Sequence, residues 1–245
     1  MRLQLVAAVG FAALLAGPVS AADMGVLHKA PAMMEDTSWS GLYFDVSGGG
    51  GWGHSSWDVA SVFNGGPIGG TGSFDQSGWL AGAGAGYNWR VGQVVFGLDV
   101  DFSAADIQGT TGAGPCTVGC QTKLAWFHTG RARLGLPFGA FMPYVTGGAA
   151  AIGLKDRAGS SNESAVDPRL WGWVVGGGLE FMVLPQWTLR AEYLHADFPG
   201  SLIANDIGFF GTTSITERNV NIFRVGVSYY LGRDQGIVSS VSSKY

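Results

Sequence analysis

Nine charged residues of this sequence are the first candidates for a functional site. They are Asp45, Asp99, Asp101, Arg131, Arg133, Glu180, Arg190, Glu192 and Arg224. Residues i and i+2 of a strand lie on the same face, so Asp99 and Asp101 should project together. Paired carboxylates can perform general acid–base catalysis. Arg131 and Arg133 repeat the same spacing, however, and close arginines favour the ionised form of a carboxylate. We therefore predict a structural ion-pair network and no catalytic residue.

Histidines and cysteines supply the other candidate sites. His54, Ser55 and Asp58 include the residue types of a hydrolytic triad, but the sequence has no G-x-S-x-G nucleophile motif. The 4 histidines lack metal-ligand spacing, so we predict no metal and no cofactor. Cys116 and Cys120 enclose one short loop segment, and an exported location favours a disulfide between them. Metal binding by these two thiols is the alternative interpretation.

The segment around the two aspartates is apolar on its opposite face. In 93–103, the residues Val94, Phe96, Leu98, Val100 and Phe102 alternate with Val95, Gly97, Asp99, Asp101 and Ser103. Unpaired carboxylates are costly to bury in the core of a soluble protein. A transmembrane barrel explains both faces, because its strands alternate lipid-facing apolar residues with lumen-facing polar residues over about ten positions.

Seven further segments alternate in the same way. The predicted strands are 41–48, 78–89, 93–103, 123–136, 142–154, 171–183, 187–196 and 219–231. The fourth strand should face Leu124 and Trp126 outward and Lys123 towards the mouth of the lumen. The alternation leaves the orientation of the second and fifth strands open.

Long and short connections alternate between these strands. The long ones are 54–77, 104–122, 155–170 and 197–218, and the short ones are 90–92, 137–141 and 184–186. This asymmetry is typical of outer-membrane barrels. We therefore predict an all-β fold: an eight-stranded antiparallel up-and-down transmembrane β-barrel with long external loops and short periplasmic turns.

The composition and the termini favour an exported membrane protein. Only 13% of the 245 residues are charged, against about 25% in typical proteins. The net charge of −4 argues against nucleic acid as a partner. We predict a signal peptide at 1–21, a periplasmic leader at 22–38, the barrel at 39–231 with Trp39 at the membrane interface, and a tail at 232–245.

Eight short motifs carry a resemblance to a known family. They are W-S-G-L-Y at 39–43, A-G-Y-N-W at 85–89, V-F-G-L-D at 95–99, W-F-H-T-G-R-A-R-L-G at 126–135, P-Y-V-T-G-G-A-A at 143–150, G-W-V-V-G-G-G-L-E at 172–180, L-R-A-E-Y at 189–193 and R-V-G-V-S-Y at 224–229. In this order and spacing they resemble the small outer-membrane β-barrels of alphaproteobacteria, the porin-family or opacity-like surface proteins with an OmpA-like barrel. The resemblance implies an abundant protein of the cell outer membrane that stabilises the envelope and contacts hosts or surfaces.

The last strand resembles the signal that the barrel-insertion machinery recognises. The residues that carry this resemblance are Arg224, Gly226, Tyr229 and Leu231. Two departures are the aliphatic Leu231, where relatives have an aromatic residue, and the tail that follows it. The implied partners are this machinery, outer-membrane lipid and lipopolysaccharide, and host or surface ligands bound through the loops.

The lumen decides between the function classes. An eight-stranded barrel is just wide enough for side chains to fill it. We expect Asp99 and Asp101 to pair with the arginines at 131 and 133, Glu180 with Arg190, and Glu192 or Asp45 with Arg224. This predicts a structural barrel with a closed lumen. The alternatives are a narrow porin for passive diffusion of ions or small solutes, a soluble carrier with its apolar faces inward, and an enzyme that acts on lipid.

Overall fold

A computed structural model describes the barrel region of the chain. The described residues are 39–61, 67–112, 120–158, 169–199, 202–204 and 211–231. The predicted signal peptide, leader and tail lie outside these ranges. Cys116 lies outside them as well, so the disulfide remains a prediction.

Nine antiparallel strands form from the described residues. They are β1 (Gly41–Ser61), β2 (Pro67–Val91), β3 (Val94–Thr111), β4 (Cys120–Gly135), β5 (Phe141–Ala158), β6 (Arg169–Leu184), β7 (Trp187–Asp197), β8 (Leu202–Ala204) and β9 (Gly211–Tyr230). Within these ranges, no helix is long and apolar enough to cross a membrane.

Strand pairing closes the sheet into a barrel. Each strand from β1 to β6 pairs with the next, β7 pairs with β9, and β9 pairs with β1, so eight strands close the barrel. The short strand β8 adds to the sheet by pairing with β9. Phe44 of β1 shows the closure, because it lies opposite Ala85 on one side and Tyr229 on the other. Short connections join the strands at the predicted periplasmic end. In the β2–β3 turn, Gly92 has a φ of 63°, which glycine adopts without strain. The prediction of an eight-stranded barrel is confirmed.

The strands extend further on the external side than the alternation predicted. Most of the predicted loop 54–77 is strand, since β1 continues to Ser61 and β2 starts at Pro67. Glycine and serine in this segment indicated a loop, but pairing with both neighbours satisfies the backbone of β1. The predicted loop 197–218 likewise contains β8 and the beginning of β9.

Apolar side chains cover the outer wall, as the alternation predicted. Leu98 is 57% exposed and Val225 is 56% exposed, which places both on the lipid-facing surface. The structure also fixes the two orientations that the sequence left open. Trp79 of β2 and Val145 of β5 point outward, with 57% and 60% of their surface exposed. The carrier hypothesis, which required inverted faces, is wrong.

A bulge in β4 changes which residues of that strand face the lumen. Ala125 is the extra residue, because Leu124 lies opposite Leu154 and Trp126 lies opposite Gly153. One inserted residue reverses the alternation beyond it. Leu124 is therefore fully buried in the lumen and Lys123 lies on the outer wall, so both predicted orientations were wrong.

Trp39 does not lie at the lipid interface as we predicted. Its side chain is 1% exposed, and its indole nitrogen donates to the carbonyl oxygen of Gly139 at 3.2 Å. It packs with Val95, Met142 and Met182 across the periplasmic end of the barrel. Trp39, two residues before β1, therefore helps to close this end.

Candidate functional site

The barrel lumen contains all nine charged residues that the sequence singled out. Each of them is at most 8% exposed, and six strands of the barrel contribute them: Asp45, Asp99, Asp101, Arg131, Arg133, Glu180, Arg190, Glu192 and Arg224. Their inward direction follows from the period-two alternation of each strand. We call this set the charged layer.

Four members of the charged layer form a closed ring of ion pairs. Arg131 lies 3.0 Å from Asp101 and 3.0 Å from Glu192. Arg224 lies 2.9 Å from Asp101 and 2.7 Å from Glu192. Each arginine thus bridges the same two carboxylates, in the multidentate geometry that suits a guanidinium group. The ring joins β3, β4, β7 and β9 across the lumen.

Two other ion pairs of the charged layer also join strands that are not neighbours in the sheet. Glu180 accepts from Arg133 at 2.5 Å, and Arg190 lies 2.7 Å from Asp45. We expected Glu180 to pair with Arg190, its direct neighbour in the β6–β7 register. That expectation was wrong, and so was the alternative pairing of Asp45 with Arg224. The reason is that long arginine side chains span the narrow lumen and reach carboxylates on other strands.

Tyrosines complete the charged layer, although the sequence pattern predicted no role for them in it. Tyr230 donates to Glu180 at 2.8 Å, and Tyr144 donates to Glu192 at 2.8 Å. The guanidinium carbon of Arg133 lies 4.6 Å from the centre of the Tyr144 ring, a cation–π distance. Tyr230 is six residues from Arg224 on β9, and this even spacing was the signal that could have identified its inward direction.

Apolar side chains fill the lumen on both sides of the charged layer. On the periplasmic side lies the group around Trp39 described above. On the external side lies a larger apolar layer, which includes Leu80, Ile107, Leu124, Phe127, Ile152, Leu170, Leu194, Phe198 and Ile222. Phe127 and Ile222 are fully buried. The prediction of a polar lumen missed this layer because the alternation was read as apolar outside and polar inside along the whole strand.

The remaining candidate residues whose side chains the structure describes do not assemble into a catalytic or metal site. His54 lies 2.9 Å from Asp75 with both side chains largely exposed, whereas Ser55 is buried. The side chain of Asp58 lies outside the described part of the structure. Among the described residues, no group of three or more His, Cys, Asp and Glu could hold a metal ion.

The proposed insertion-signal residues divide between the two faces of β9. Arg224 points into the charged layer, and the Tyr229 ring packs outside against Trp187 with 4.9 Å between ring centres. Leu231 follows the strand, is 43% exposed, and donates its backbone N–H to Leu42. Recognition by the insertion machinery remains a prediction.

Comparison with known proteins places this geometry in a family. The family model described as outer membrane protein beta-barrel domain matches residues 9–230. The 31 kDa outer-membrane immunogenic protein of Brucella melitensis is 33% identical over 234 residues, which cover 89% of this chain and 95% of that protein. The 25 kDa outer-membrane immunogenic protein of the same organism is 29% identical, covering 78% of this chain and 79% of that protein.

Among solved structures, the outer membrane protein OprG of Pseudomonas aeruginosa matches with a TM-score of 0.46 and 13% identity. The match covers 79% of this chain and 99% of that chain. The names of the two Brucella relatives describe outer-membrane proteins rather than enzymes. The chain therefore belongs to the outer membrane protein beta-barrel domain family and is a β-barrel of the outer membrane.

Proposed function

We propose that this protein is a structural barrel whose lumen is closed to solutes and whose external strands interact with other surfaces. The observation that supports a closed lumen is that three layers of side chains are stacked along it. A hydrated ion would have to pass the apolar layer around Phe127, the ion-paired ring around Arg131, and the group around Trp39. Removing water from an ion in such an interior costs several kcal/mol or more. A filled lumen suits a protein that supports the envelope rather than one that conducts.

Single-channel recording tests the closed lumen. We expect purified, refolded full-length protein in planar bilayers to give no steady openings, because side chains of all three layers fill the interior. Faster gel migration before heating than after it would verify that the same preparation is folded. Steady large openings from folded protein would refute the closed lumen and favour the alternative, a narrow porin for ions or small solutes.

The part of the barrel beyond the outer membrane surface supports the second half of the proposal. Trp52 and Trp79 are exposed on the outer wall, where tryptophan favours the membrane interface. From Trp52, β1 continues to Ser61, which is about 30 Å of strand at roughly 3.3 Å per residue. Over this length β1 pairs with β9, and β8 extends the same sheet. The Brucella relatives are named immunogenic proteins, and a projecting sheet of this kind is where host molecules or other ligands would bind.

Cysteine labelling on intact cells tests this orientation. We expect Ser73→Cys, an exposed position on the projecting part of β2, to react with a membrane-impermeant maleimide above the wild-type background. Gln93→Cys, exposed in the turn at the opposite end, should react only after the cells are opened. The reverse pattern would place the projecting sheet in the periplasm and would rule out its role in surface interaction.

A further inference from the structure

Two lysines lie side by side on the outer wall of the barrel. Lys123 of β4 is directly opposite Lys155 of β5 in the strand register. The bulge at Ala125 produces this arrangement, because without it Lys123 would point into the lumen. Like charges directly opposite each other destabilise a sheet, and bulges often direct a side chain towards a particular role. The arrangement therefore calls for a compensating anion.

Among the side chains that the structure describes, one carboxylate supplies part of that compensation. Asp106 lies 3.0 Å from Lys123, with the two side chains 31% and 36% exposed. Lys155 is exposed on the same wall. The two lysines and one aspartate leave a net charge of +1 on this small area. Opposed positions on a sheet have Cβ atoms about 5 Å apart, so both ammonium groups can reach one phosphate.

Aromatic residues place the lysines at the level of the lipid headgroups. The Trp126 ring covers the outer side of Gly153, the residue two positions before Lys155. Trp126 also stacks on His128 with 4.5 Å between ring centres, and Trp171 on β6 is 67% exposed. Tryptophans on the outer wall mark the boundary between acyl chains and headgroups. The lysines lie just beyond this boundary, on the side of the long strand extensions.

We propose that Lys123 and Lys155 bind a phosphate group of lipid A, the headgroup region of the lipopolysaccharide that forms the outer leaflet. Basic side chains at this depth meet anionic headgroups directly. Lipid A offers phosphate at the headgroup level with acyl chains below it, where Trp126 and Trp171 form the apolar wall. This site lies outside the lumen, so it goes beyond the proposed closed barrel and does not depend on it.

Binding of purified lipid A to the refolded full-length protein in detergent tests the site. We expect Lys123→Gln and Lys155→Gln each to weaken binding about fivefold and the double variant about thirtyfold, from roughly 1 kcal/mol per basic residue near a charged membrane surface. Asp106→Asn should strengthen binding, because it removes the competing carboxylate. The matched control is Arg90→Gln. Arg90 is a basic residue near the end of β2, at the periplasmic end of the barrel and far from the two lysines.

Each outcome separates the proposal from its alternatives. Loss of binding in the double lysine variant, with wild-type binding in Arg90→Gln and in the charge-preserving Lys123→Arg/Lys155→Arg variant, would support the site. Equal binding of lipid A by wild type and the double glutamine variant would overturn it. Equal binding of dephosphorylated lipid A, or of phosphatidylglycerol, by the wild type would overturn the assignment to the lipid A phosphate. Gel migration before and after heating shows whether each variant is folded.

Discussion

Replacing Glu180 by alanine should destabilise the barrel by about 3–5 kcal/mol, because it leaves a buried charge without its partner. Glu180 is fully buried and accepts hydrogen bonds from Arg133, Thr188 and Tyr230. The nearest remaining carboxylate, Asp99, lies 4.0 Å from Arg133. Equilibrium unfolding in urea, followed by tryptophan fluorescence in lipid vesicles, measures the change in the free energy of unfolding.

Two comparisons make this prediction specific to the buried pair. The double variant Arg133→Met/Glu180→Met should lose less stability than the summed losses of Arg133→Met and Glu180→Met, because no unpaired charge remains in it. Asp106→Asn breaks an ion pair whose members are partly exposed, so it should cost less than about 1 kcal/mol. Equal effects of Glu180→Ala and Asp106→Asn would show that water screens the lumen and that the charged layer is not sealed.

Replacing Phe127 by alanine should cost about 3–5 kcal/mol as well, through the cavity it creates in the external apolar layer. Phe127 is fully buried in the lumen among Leu124, Ile152 and other apolar side chains. Lipid cannot fill the space that its ring leaves, because the barrel wall separates the lumen from the acyl chains. The same urea experiment in vesicles measures the loss.

The matched control for this change is Phe127→Leu. A hydrophobic replacement closer in volume leaves a smaller cavity and should cost less than about 1.5 kcal/mol. A cost below about 1 kcal/mol for the alanine variant would mean that water already surrounds Phe127. That result would contradict the apolar layer on which the closed lumen depends.

The architecture could be predicted from the sequence because it rests on local patterns. A strand between lipid and lumen needs only alternating residue types, as in the run from Phe96 to Ser103, and each strand shows this without reference to its partners. The inward direction of the nine charged residues follows from the same pattern. Two strands with mild alternation stayed ambiguous, since small residues such as Ala83 and Gly84 do not distinguish the faces.

The bulge at Ala125 shows where this local inference ends. Residues 124–127, directly after Lys123, are all apolar, so the sequence did not show where the strand reverses its faces. The reversal exists because β3 and β5 fix the register on both sides of β4. Pairing with distant strands likewise turned the glycine-rich segment after Gly48 into part of β1.

The sequence by itself determined the all-β class, the lipid-facing and lumen-facing sides of most strands, and the set of charges inside. Only the tertiary structure decided which carboxylate each arginine contacts, that apolar layers enclose those charges, and that Lys123 lies beside Lys155 on the outer wall. The physical reason is that the direction of a side chain follows from the period of its own strand. Its partners follow from the closure of the barrel, which brings β1 and β9 together from opposite ends of the fold.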